Sequence, residues 1–113
     1  MKLSNYSFGS IQVGDEKYTS DFIVHGEWLE DWWRQSGHQV VPEDLEKIIR
    51  RSPDRIVFGS GANGRMRLTG AAKKVLDKNG IKYEIHQTDE AVKKYNSYLK
   101  NNEDVAGGLH LTC

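Results

Sequence analysis

The chain has 113 residues, of which 37% are hydrophobic and 28% charged, with 16 Lys plus Arg balancing 16 Asp plus Glu. A chain of this length forms one domain and buries roughly two thirds of its unfolded surface, enough for a single self-sufficient core. The balanced charge gives no drive toward nucleic acid or an anionic membrane, and the N-terminal MKLSNYSFGS has neither the apolar core of a signal peptide nor the basic character of a transit peptide. The expectation is a cytoplasmic protein with no nucleic-acid or membrane partner. Cys113 is the only cysteine, so no disulfide forms within the chain.

Tyr6, Phe8, Ile11 and Val13 alternate with polar residues and change phase at Gly9 and Ser10, which predicts a strand bulged at the glycine. Gly14 to Glu16 form a turn and Tyr18 to His25 a second strand, completing an N-terminal antiparallel hairpin. In GEWLEDWWRQSGH the spacing fits either a helix or a short strand returning from Gly26, and the strand is favoured.

Pro42, followed by Glu43 and Asp44, opens a helix whose apolar face is Leu45, Ile48 and Ile49. Ile56, Val57 and Phe58 are a continuous apolar run, expected of a central strand covered on both faces. Thr69 caps a helix carrying Ala72, Val75 and Leu76, closed by Asn79 and Gly80. Ile81, Tyr83 and Ile85 alternate in a strand. Thr88 caps a helix with Ala91, Val92, Tyr95, Tyr98 and Leu99 on one face, and Val105 to Leu111 is a last strand. This order implies crossover connections, hence an α/β domain with a mostly parallel sheet and the hairpin as an added antiparallel layer.

The loop Gly59, Ser60, Gly61, Ala62, Asn63, Gly64 matches G-x-G-x-x-G after a predicted strand, where backbone amides approach phosphates, with Arg65 and Arg67 placed to pair with an anion. The helix cap lies too far downstream for a dinucleotide site, and Glu84 falls inside its strand instead of at the end, so a tight loop needing positive φ is the favoured reading. The four histidines show no ligand spacing, and neither a metal nor a cofactor is expected. His110 and Cys113 form a weak nucleophile candidate, with an inert thiol favoured. Trp28, Trp32 and Trp33 serve either as core packing or, for at least one of them next to Arg34, as a contact anchor; both readings stay open.

Together DFIV (Asp21 to Val24), WWRQSGH (Trp32 to His38), PEDL (Pro42 to Leu45), FGSG (Phe58 to Gly61), AVKKYN (Ala91 to Asn96) and AGGLHLTC (Ala106 to Cys113) resemble one small single-domain family over nearly the whole chain. Its members include an adipogenesis-associated cytoplasmic protein and a mitochondrial complex I assembly factor. The resemblance implies a three-layer α/β fold with a mixed central sheet, no established enzymatic activity, and a role in protein binding or assembly. It maps onto Gly59 and Gly61, without Gly64, and onto His110, Thr112 and Cys113. A non-enzymatic protein-binding module with Trp32, Trp33 and Arg34 as contact surface is therefore favoured. The alternative is a small-molecule or phosphate-binding domain, and so an enzyme candidate, using Gly59, Ser60, Gly61, Arg65 and Arg67. Self-association through the hairpin or the Trp segment is an open alternative for the partner.

Overall fold

The computed structural model describes residues 1–113. The N-terminal residues form a three-stranded antiparallel sheet of β1 (Leu3–Ser7), β2 (Ser10–Val13) and β3 (Glu16–Tyr18). The strand expected to bulge at Gly9 is instead two strands, because Gly9 at φ 81° reverses the chain and brings Ser7 opposite Ser10. The single strand expected from Tyr18 to His25 is also divided. β3 ends at Tyr18, and after a break at Thr19–Asp21 β4 (Phe22–His25) enters a different sheet.

β5 (Trp28–Asp31) returns from Gly26 and pairs antiparallel with β4, as the favoured reading of that segment expects. The chain then passes through the short β6 (Gln39–Val40) to Pro42, where a 3-10 turn (Pro42–Leu45) runs into α1 (Glu46–Arg50). Asp44 Oδ2 accepts the Val41 amide at 2.9 Å, satisfying a donor that has no partner within the helix. β7 (Arg55–Ser60) is followed by β8 (Arg67–Leu68), which pairs parallel with β6, and by α2 (Gly70–Lys78). Thr69 caps α2 as expected, its hydroxyl accepting the Ala72 amide at 3.1 Å.

β9 (Lys82–His86), α3 (Thr88–Lys100) and β10 (Val105–His110) complete the chain. The main sheet has the order β5-β4-β10-β7-β9, with β10 antiparallel to β4 and β10, β7 and β9 parallel. The central place expected for β7 belongs to β10, all of whose residues are buried. β7 lies beside it, buried from Ile56 to Ser60 as a strand covered on both faces must be.

Three layers result. On one face of the sheet, Leu45, Ile48, Ala72 and Leu76 pack on Ile56 and Phe58. On the other, Ala91 and Tyr95 of α3, with Leu3, Ile11 and Val13 of the small sheet, cover Val57, Phe22 and Leu109. Tyr95 is fully buried, and burial alone pushes its phenol pKa up to about 12. No helix is long and apolar enough to cross a membrane.

Candidate functional site

Parallel strands of an α/β sheet gather their ligands at their carboxyl ends. Here those ends are Ser60, His86 and His110, brought level by the pairings Gly59 with His86 and Ser60 with His110. The loop after β7 closes over residues 111–113. Gly61 stands at φ 101°, and a Cβ there would lie 2.2 Å from the Cys113 carbonyl carbon, so only glycine fits. The amides of Ala62 and Arg65 donate to the carbonyls of Thr112 and Cys113 at 2.6 and 3.1 Å, and the Gly61 amide donates to Thr88 Oγ1 at 2.8 Å. Thr88, expected as a helix cap, thus ties the loop to β10, its hydroxyl donating to the His110 carbonyl at 2.6 Å. Of the amides that a dinucleotide site would offer to phosphate, all but that of Asn63 among Gly61 to Met66 are spent on the chain itself. Gly59 likewise leaves no room for a side chain, facing Leu109 and Thr88.

Beneath this loop lies a charged cluster. Asp21 Oδ2 receives His110 Nδ1 at 2.7 Å and Arg34 Nη2 at 2.7 Å, while its Oδ1 accepts the Leu111 amide at 2.8 Å. A carboxylate only accepts, so the His110 proton sits on Nδ1, and the 3.2 Å approach of Arg34 Nη2 to that nitrogen follows from both donors sharing one oxygen. Burial alone would raise the Asp21 pKa, but the hydrogen bonds from His110, Leu111 and Arg34, together with the Arg34 charge, hold it below the usual carboxylate value. Arg34 also donates to the Gly37 carbonyl and lies 4.5 Å over the Trp32 ring.

These contacts correct two expectations. Trp32 and Arg34, assigned to a contact surface, are interior. Trp32 stacks on Phe58 with centroids 6.0 Å apart, and its indole N–H donates to the Asp44 carbonyl at 2.9 Å. The Arg34 side chain is 3% exposed. Trp33, one residue along and facing the other way, is 80% exposed. It borders a groove of about 250 Å³ whose rim includes Asp31, Glu43, Glu46, Lys47 and Arg50.

A second groove, of about 540 Å³, opens between the β7 loop and the end of β9. Ser60, Asn63, Gly64, Arg67, Lys73, His86 and Gln87 contribute to its wall, and Arg65 does not. Cys113 is half-buried, and no hydrogen bond joins its thiol to His110, whose Nδ1 is held by Asp21 and whose Nε2 has no partner. Among the residues that matter here, Asp21 and Gln87 escape sequence reasoning, and Lys73 reads from sequence only as solvated helix surface beside Lys74. Only Asp21 left a trace, as the first letter of the DFIV motif.

Fold and site define a small three-layer α/β domain with a buried ion cluster, a clamped glycine loop and no group of side chains arranged to hold a metal. The chain belongs to the protein family of unknown function DUF498/DUF598, whose model matches residues 3–110. A conserved hypothetical protein from Pyrococcus horikoshii has the same fold at TM-score 0.91 and 22% identity, with 100% of both chains covered. A protein designated MT938 matches at TM-score 0.83 and 27% identity over 99% of this chain and 98% of that one. An Mth938-like domain from Bordetella pertussis matches at TM-score 0.72 and 17% identity, over 97% and 85%.

Proposed function

We propose that this protein is a non-enzymatic binding module that engages a protein partner through Trp33. The supporting observation is the 80% exposure of that indole in a chain whose other large apolar side chains are almost all covered. Water around an exposed tryptophan is released when a partner covers it, and tryptophan is among the side chains that most often dominate interfaces. The rim of its groove carries both carboxylates and cations, which suits a mixed-charge protein surface. The resemblance to a family that includes an assembly factor points the same way.

The test is affinity capture from native cells with the wild type, Trp33→Ala and Phe8→Ala, Phe8 being 63% exposed on the β1–β2 turn. A partner held by the wild type and Phe8→Ala but lost with Trp33→Ala carries the proposal. Because Trp33 packs little, Trp33→Ala is expected to leave unfolding stability within about 0.5 kcal/mol of wild type. Unchanged capture by Trp33→Ala would overturn the reading.

A further inference from the structure

The groove beside the glycine loop lies apart from Trp33 and shares no lining residue with the Trp33 groove. Its charged wall is one-sided. Arg67 and Lys73 both line it, neither forms a salt bridge anywhere in the chain, and no carboxylate is among the lining residues. Glu84, bonded to the lining His86, is already engaged: its carboxylate accepts from Arg55 at 3.1 Å, Tyr98 at 2.7 Å and His86 at 2.8 Å, so it offsets little of the positive field in the groove.

Neutral donors stand among the cations. Asn63 and Gln87 line the groove, and the Asn63 amide, unlike its neighbours at Ala62 and Gly64, has no acceptor within the chain. α2 begins beside Leu68 and Lys73 with no acidic residue in its first turn, leaving the positive end of its dipole uncompensated. The same groove exposes apolar surface at Ile85, which is 38% exposed although it sits in the main sheet. That exposure is unexpected from the alternation of Ile81, Tyr83 and Ile85.

We propose that this groove binds a small organic phosphate, its phosphoryl group between Arg67 and Lys73 and its apolar body against Ile85. Clamped glycine-loop amides make no cradle, so recognition rests on side-chain cations, which pair with phosphate oxygens through charge-assisted hydrogen bonds. The volume falls within the range of small-ligand sites, about 300 to 1,000 Å³, and a macromolecular phosphate is not required to fill it.

The test is a titration of the ¹⁵N-labelled full chain with inorganic phosphate and with phenyl phosphate at constant ionic strength. Saturable shifts at the amides of Asn63, Gly64 and Gln87, with phenyl phosphate the tighter ligand, are expected. Arg67→Gln with Lys73→Gln, both exposed positions that leave the core intact, should weaken phenyl phosphate by about tenfold or more while the rest of the spectrum stays in place. Equal affinity for the two probes, shifts retained in the double variant, or no saturation at millimolar phenyl phosphate would each overturn the assignment.

Discussion

Asp21 is the residue on which the charged interior turns. It satisfies a buried guanidinium, an imidazole and a backbone amide at once, and it does so at the break between β3 and β4. Asp21→Asn keeps the shape but leaves Arg34, 3% exposed, without a counter-charge. Breaking one side of a buried pair costs about 3 kcal/mol. The pH dependence has a definite sign. The folded pKa of Asp21 lies below the unfolded value, so its contribution is complete above the unfolded pKa and is lost as pH falls through the folded one. Urea midpoints for the wild type and Asp21→Asn should therefore differ clearly near about pH 7 and converge below about pH 4. A constant difference across that range would mean that hydrogen-bond geometry, and not the charge, holds the cluster together.

At the scale of elements, the joint between α3, the glycine loop and β10 runs through one hydroxyl. Thr88 is fully buried, accepts from the Gly61 amide and donates to the His110 carbonyl. Thr88→Val preserves the branched shape and removes both bonds, stranding a buried donor and a buried acceptor. A loss of about 3 kcal/mol is expected, measured by denaturant unfolding, because each unsatisfied group costs about 1 to 3 kcal/mol. A loss below about 1 kcal/mol would show that water replaces the hydroxyl. The elements themselves were largely readable in the sequence. Pro42 opening a helix, Thr69 capping α2 and the return of the chain at Gly26 are all local chemistry, decided within a few residues. What Thr88 does was not readable, since its partners at Gly61 and His110 are distant in sequence. For the same reason Trp32 and Trp33 looked equivalent: the contacts with Asp44 and Phe58 that bury the first come from other elements. The glycines at positions 59 and 61 resembled a ligand loop because close approach to a phosphate and close approach to one's own chain both demand glycine.

The molecule as a whole is organised around its last strand. β10 takes two neighbours, β4 antiparallel from near the start of the chain and β7 parallel from its middle, so the two halves of the sheet, β5-β4 and β7-β9, are joined only through it. A strand order of this kind leaves no local signal, because hydrophobic runs reveal burial on both faces without revealing which strands lie alongside. It has an energetic consequence. The amides of β10 are shielded by two ladders and two layers of core, and exposing them requires separating both halves of the sheet. β5 is bonded on one side only and its residues are half-buried or exposed, so it opens without disturbing the rest. Native-state hydrogen exchange in increasing urea should show Gly107 to Leu109 exchanging only by global unfolding, with a strong urea dependence, while β5 exchanges by a smaller opening that is nearly independent of urea. If β10 instead exchanged at a free energy well below that of global unfolding, the C-terminal strand would be a detachable element, and the loop clamped to residues 111–113 would open together with it.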